Sequence, residues 1–184
     1  PAEVVFPEPG TGEEAILRQI LERMEKAGRL ENAADTLAML IDRRCCSIVP
    51  LVPDVVVVHT KVKGVRSIAL GIALARSDLD GQCLAAEVSK FRALIVVISP
   101  LEEPSGYMRV LTALRRKLVD PDSLKAFLAL EDADAVWRFF DGTGDELPAY
   151  ISAGDIMHRE LRVLLDTDSL SRAIDAFCQY DLDE

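Results

Sequence analysis

Two short aliphatic runs constrain the fold of this chain more than any other feature of its sequence. Val55–Val58 and Leu94–Ile98 consist only of valine, isoleucine and leucine. Runs of this length next to prolines or polar residues are typical of strands buried on both faces of a sheet. The apolar stretch Val65–Ala75 predicts a third strand. Since both faces of such a sheet must be covered, we expect helices on either side of it.

Two amphipathic helices are predicted before the first of these strands. Apolar side chains recur at helical spacing from Ile16 to Met24, and Gly28 can end that helix. Thr11 is predicted to cap its start by accepting a hydrogen bond from a first-turn amide. Asn32 is predicted to cap the second helix.

Three more helices are predicted after the last strand. The first runs from about Tyr107 to Val119, the second from its cap Asp120 to Leu130, and the third begins at Asp132. The order is therefore two helices, three strands and three helices. This order differs from a regular alternation of strands and helices, so a mixed sheet is expected.

The predicted fold class is α/β, a mixed-sheet sandwich with helices on both faces, formed by residues 4–141. Residues 1–10 contain three prolines and are predicted to be an extended lead-in. Residues 142–149 are rich in glycine and acidic side chains and are predicted to be a linker. Residues 150–184 are then expected to form a separate unit.

Charge and cysteine content argue against several classes of function. The formal net charge is -10, with Lys+Arg 21 against Asp+Glu 31, and general nucleic-acid binding requires the opposite balance. The four cysteines show no CxxC spacing and there are only two histidines, so we expect no metal site and no cofactor. Reduced thiols and a cytoplasmic location are expected. No apolar run approaches the roughly 20 residues that a membrane-spanning helix needs.

His59 is the residue best placed for chemistry. It ends the valine run and precedes a loop with Lys61 and Lys63. Such a histidine can act as a nucleophile, a base or a ligand. It can also be a structural imidazole bonded to a carbonyl group, and the spacing alone favours this role because no second His or Cys is near. A hydrolase that pairs His59 with a carboxylate is a third hypothesis, although a GxSxG motif is missing.

A longer pattern surrounds His59. A helix ends at Arg43, Ser47 follows, and a valine run leads to His59. The strand Leu94–Pro100 ends in proline, and Tyr107 opens the next helix. In this order, about three quarters of the chain resembles the enzyme IIA domain of the phosphotransferase system, of the fructose–mannitol and nitrogen-regulatory class.

The resemblance implies that His59 accepts a phosphoryl group from a histidine phosphocarrier protein (HPr-like) and passes it on. It implies that Arg43 holds the phosphate oxygens, whereas residue type alone also fits a solvated cation at a helix end. Ser47 would offer a hydroxyl contact. Tyr107 stands where the family has a second histidine and would donate a hydrogen bond to the phosphate. Asp54 replaces a family glycine and would oppose an incoming phosphate if its side chain faced the site.

The tail at residues 150–184 resembles the first half of a CBS domain. Its opening Ile151–Arg159 is followed by the short strand Val163–Leu165 and by a helix that Asp168 or Ser169 can cap. Modules of this family bind adenine nucleotides as pairs of complete repeats, so this half is not expected to form a nucleotide site.

Together the two resemblances imply a regulatory or transport-coupled IIA-like domain, in the cytoplasm or in the soluble part of a membrane-associated protein. The implied partners are the HPr-like phosphocarrier, a membrane transporter or channel, and a second copy in a homodimer. The alternative hypothesis is a degenerate interaction module that is not phosphorylated and regulates a linked transporter or channel through CBS domains. An arginine and a hydroxyl near His59 would support phosphorylation, and a carboxylate there would oppose it.

Overall fold

The computed structural model describes residues 3–42, 45–80, 90–101 and 106–141, together with Ser169 and Ser171. The chain divides into two compact units, Pro1–Ile151 and Ser152–Glu184. The predicted linker and the CBS-like tail lie outside the described residues, apart from those two serines, and stay predictions.

The described ranges form a five-stranded mixed sheet and five helices. In chain order the elements are β1 (Val4–Val5), α1 (Glu13–Lys26), α2 (Ala33–Ile41), β2 (Cys46–Val52), β3 (Val55–Val62), β4 (Ala69–Asp80), β5 (Lys90–Pro100), α3 (Gly106–Leu118), α4 (Pro121–Leu128) and α5 (Ala133–Asp141). The strands lie in the order β1-β4-β5-β3-β2. The pairs β1–β4 and β3–β5 are parallel, and β2–β3 and β4–β5 are antiparallel.

Alternate side chains of β3 enter two separate cores. Val56 and Val58 pack in the core formed with α1 and α2. Val55 and Val57 pack in the core formed with α3, α4 and α5. Because successive side chains of a strand point to opposite faces, one aliphatic run can serve both cores. The predicted sandwich with helices on both faces is therefore confirmed.

Two of the predicted helix caps are confirmed. The Asn32 side chain accepts a hydrogen bond from the Asp35 amide, and the Asp120 side chain accepts one from the Ser123 amide. Each satisfies one of the amides that the first turn leaves without a helical partner. Gly28 has the positive φ of 69° that the turn after α1 requires, as expected for a glycine that follows a helix.

The prediction for Thr11 was wrong. Its hydroxyl donates to the Glu8 carbonyl oxygen at 2.7 Å, and so it stabilises the preceding turn and caps no helix. Gly12 occupies the N-cap position of α1, so the helix start has no side-chain cap. The acidic side chains of Glu13 and Glu14 in the first turn complement the helix dipole in its place.

Two strands at the sheet edges, β1 and β2, were not predicted from the sequence. β1 lies in the predicted lead-in and pairs with β4 through Val4 and Ile72. β2 contains Pro50, a residue type that disfavours a central strand. Proline has no amide hydrogen to donate to a neighbouring strand. It is tolerated in an edge strand because one side of such a strand has no neighbour. β2 occupies such an edge, next to β3.

Candidate functional site

His59 lies near the carboxyl ends of two neighbouring parallel strands, β3 and β5. It is on the same face of β3 as Val55 and Val57, the face covered by α3. The side chain is only 7% exposed. In open α/β sheets, ligands bind outside the carboxyl ends of the strands, so this position suits a reactive group.

Strand register brings two hydroxyl groups to His59. Ser47 of β2 pairs directly with His59 across the antiparallel ladder, so both side chains lie on one face. On the other side, Ser99 of β5 is fully buried, and its Oγ lies 2.7 Å from His59 Nε2. This hydrogen bond fixes the orientation of the imidazole.

Ser99 is a site residue that the sequence analysis did not single out. It lies 40 residues from His59 in the chain, and only the pairing of β3 with β5 brings the two together. The sequence signal was a serine at the end of an otherwise aliphatic strand. A buried hydroxyl in that position needs a hydrogen-bond partner, and His59 provides it.

Tyr107, in the first turn of α3, covers the imidazole. The rings of His59 and Tyr107 stack with centroids 3.7 Å apart and planes 6° apart. The Tyr107 hydroxyl is buried and has no hydrogen-bond partner of normal geometry among the described residues. Burial raises the pKa of Tyr107, and the nearby Ser47 hydroxyl opposes that rise only in part. The phenol is therefore a neutral group at pH 7.

The environment of His59 favours its neutral form. Burial, and then the positive charge of Lys61, lower the pKa of His59 from 6.5 to about 4. Lys61 lies on the same face of β3 and pairs with Ser99 in the β3–β5 register. At pH 7 the imidazole therefore keeps a lone pair on an unprotonated nitrogen, which is the nucleophilic form.

The lowered pKa of His59 predicts a loss of stability in mild acid. Between pH 6.5 and about 4 the unfolded chain binds a proton on His59 that the folded protein does not. The free energy of unfolding should therefore fall as the pH drops through this window, by about 3 kcal/mol at most. Urea unfolding of wild type and His59→Gln at several pH values measures the difference. Parallel pH profiles for the two proteins would contradict the prediction.

Solved structures with the same fold were found at low sequence identity. The nitrogen regulatory protein IIA-Ntr from Neisseria meningitidis matches with a TM-score of 0.61 and 16% identity, over 76% of this chain and 94% of that one. The fold is that of phosphotransferase-system IIA domains. IIA mannitol from Escherichia coli matches with a TM-score of 0.55 and 17% identity, over 76% of this chain and 96% of that one.

A third match is the Escherichia coli complex of enzyme IIA-mannitol with phosphorylated enzyme IIB-mannitol. Its TM-score is 0.59 at 16% identity, over 77% of this chain and 95% of that one. No protein-family model matches the sequence, and no curated protein is significantly similar to it. The likeness to IIA domains thus concerns the fold, over about three quarters of the chain.

Arg43 lies outside the described residues, so its predicted contact with phosphate stays a prediction. The nearest described residue that follows it is Cys45, whose carbonyl oxygen accepts a hydrogen bond from Thr60 Oγ1 at 2.8 Å. Thr60 is the neighbour of His59 on β3. The chain therefore returns to the His59 end of the sheet only two residues after Arg43.

Asp54 lies too far from His59 for its carboxylate to oppose an incoming phosphate. Asp54 is exposed in the turn between β2 and β3, with a φ of 65°. It precedes His59 by five residues, which separates the two by about 16 Å along an extended strand. Its carbonyl oxygen accepts hydrogen bonds from the amides of Arg92 and Ala93. The carboxylate thus lies at the opposite end of β3 from the imidazole.

The described residues show neither a metal-binding cluster nor a membrane-spanning helix. The described residues contain no cluster of three or more His, Cys, Asp or Glu side chains able to hold a metal ion. Within the same ranges, no helix is long and apolar enough to cross a membrane.

Proposed function

We propose that this domain is a phosphoryl carrier, which accepts a phosphoryl group on His59 from a phosphocarrier protein and passes it to a further protein. The observation that carries the proposal is a neutral imidazole, held by Ser99 and stacked on Tyr107, at the carboxyl ends of parallel strands in a IIA fold. An imidazole with a lowered pKa needs no additional base to act as a nucleophile.

In the proposed reaction the phosphoryl group moves from a histidine of the donor to His59. The unprotonated nitrogen of His59 attacks the phosphorus atom held by the donor's phosphohistidine. A new N–P bond forms as the donor's N–P bond breaks, and the electron pair of that bond returns to the donor imidazole. Little covalent chemistry remains for the protein, so positioning and charge stabilisation set the rate.

Two described features would stabilise the transferred group. The Lys61 ammonium lies on the same sheet face as His59 and is close enough to affect its pKa. The first turn of α3 contains no acidic residue, so the positive end of its dipole, beside Tyr107, is not neutralised there. These positive charges favour a phosphate group in a chain whose net charge is -10.

Replacing Lys61 by methionine should slow the labelling of His59 about tenfold to a hundredfold. Methionine keeps an apolar side chain of similar length and removes only the charge that stabilises the transferred group. The pKa of His59 should rise at the same time, because Lys61 helps to lower it. Rates of ³²P incorporation and an NMR titration of the imidazole measure the two effects. Lys63→Met, in the exposed turn after β3, is the matched control; equal rates for both variants would exclude the role of Lys61.

Arg43→Ala should slow labelling by an amount that corresponds to about 2–4 kcal/mol, as expected when one preorganised donor to the phosphate is removed. The thermal midpoint should stay unchanged, since the proposed role concerns charge and not core packing. Arg44→Ala is the control for a general loss of positive charge. A similar small effect of both substitutions would indicate that Arg43 is a solvated cation.

The finer parts of the proposal rest on resemblance. The complex of IIA-mannitol with phosphorylated IIB-mannitol supports a second phosphotransferase-system protein as the partner that follows in transfer. The HPr-like donor, the transporter or channel, the homodimer, the regulatory role and the CBS-like tail come from the sequence. The alternative remains an interaction module that is not phosphorylated.

A further inference from the structure

A cavity of about 240 Å³ lies on the His59 side of the sheet, near its opposite edge. Its floor is formed by β1 and β4, including Leu70 and Ile72, and its walls by α3 and α5. Ala113 of α3 and Trp137 of α5 are both among its lining residues. None of the described residues proposed for phosphoryl transfer lines this cavity.

The size and lining of the cavity suit a small apolar body. An apolar cavity of about 150 Å³ holds benzene, so 240 Å³ corresponds to roughly ten non-hydrogen atoms. Most of the lining is aliphatic or aromatic. Trp137 lines the cavity and is 42% exposed although it is a large aromatic residue, so a ligand could cover part of its surface.

Two charged side chains line the cavity, and only one of them has an oppositely charged partner among the described residues. Glu3 and Lys117 are its two charged lining residues. Glu3 faces Arg29 at 3.7 Å, so its negative charge is compensated. Lys117 is half-buried, and its ammonium lies 5.0 Å from the centre of the Phe139 ring, with no ion pair to a described carboxylate. Among the described residues, the uncompensated charge beside the cavity is therefore positive.

We propose that this cavity binds a small amphipathic carboxylate, whose apolar body fills the space between α3, α5 and the sheet and whose carboxylate pairs with Lys117. A half-buried ammonium gains more from an anionic partner than an exposed one does, because water screens the pair less. An apolar body buried beside a few polar groups is the usual arrangement of small-molecule sites.

The test uses Trp137, the single tryptophan of the chain, as a fluorescent reporter. The full chain is titrated with 4-phenylbutyrate, 4-phenylbutanol and 4-phenylbutylamine, which share one apolar body and differ in charge. We expect a saturable change in Trp137 emission, with the carboxylate binding about five- to tenfold more tightly than the alcohol and the amine weakest. No saturable change, or equal or tighter binding of the amine, would overturn the proposal.

Two substitutions locate the binding. Lys117→Met should abolish the preference for the carboxylate over the alcohol and leave alcohol binding within about twofold. Arg115→Met, on an exposed position of α3, is the control and should leave the preference intact. Ala113→Leu keeps a good helix former and fills the cavity, so all three ligands should bind at least tenfold more weakly. Unchanged binding by Ala113→Leu, with its circular dichroism spectrum intact, would place the ligand elsewhere and overturn the proposal.

Discussion

His59→Ala should leave the domain unable to accept a phosphoryl group, with labelling reduced by a factor of about 10³ or more. Alanine offers no nitrogen for the N–P bond, and loss of the nucleophile removes the reaction path and not merely part of its acceleration. The label on the wild-type protein should be acid-labile, as expected for a phosphoramidate. Incubation with phosphoenolpyruvate, the general phosphotransferase enzyme and a phosphocarrier protein provides the assay.

A matched variant and a second donor sharpen this experiment. His158→Ala removes the other histidine of the chain and should label as fast as wild type. Phosphoramidate, a small chemical donor, tests the reactivity of the His59 pocket without any requirement for partner recognition. Labelling by phosphoramidate but not by the carrier would show that the carrier used is not the donor of this domain.

Two other outcomes of the labelling experiment would contradict the proposed role of His59. No label on the folded wild-type protein with either donor would favour the interaction module that is not phosphorylated. A label that persists in His59→Ala and disappears in His158→Ala would overturn the site. The binding of carboxylates in the α3–α5 cavity is independent of all these results, because it does not require a phosphorylated His59.

Gly71→Ala should destabilise the domain by about 2–3 kcal/mol. Gly71 lies on β4 beneath α1, and a Cβ atom there would lie 2.3 Å from Ile20 Cγ2 and 2.8 Å from Met24 Cε. Both side chains are fully buried. The methionine terminus can move, but the branched Ile20 side chain has few alternative rotamers, so α1 must shift away from the sheet. Urea unfolding measures the loss.

A double-mutant cycle tests whether the contact with Ile20 causes the destabilisation by Gly71→Ala. Ile20→Ala removes the obstructing methyl group and should itself cost about 3 kcal/mol. In that background Gly71→Ala should cost clearly less than in wild type, since the added methyl group fills part of the space left. Gly12→Ala is the control, because a Cβ there has open space around it, and we expect a change below about 1 kcal/mol. Simple additivity of Gly71→Ala and Ile20→Ala would contradict the proposed contact.

Most of the fold could be predicted because its signals are local. The run Val55–Val58 predicts a strand buried on both faces, and the caps Asn32 and Asp120 predict helix starts within a few residues of the observed ones. The edge strands could not be predicted in the same way. Val4–Val5 becomes a strand only by pairing with β4, and Pro50 is accepted in β2 only because that strand lies at an edge.

The sequence by itself determined that a histidine would stand near the end of a buried strand in an α/β sandwich. The tertiary structure decided what surrounds it: Ser99 at its Nε2, Tyr107 stacked on its ring, and Asp54 at the far end of the strand. The physical reason is the range of the interactions. Apolar periodicity and capping act within a few residues, whereas strand register and helix packing join side chains 40 or more residues apart, and they alone set the burial that lowers the His59 pKa.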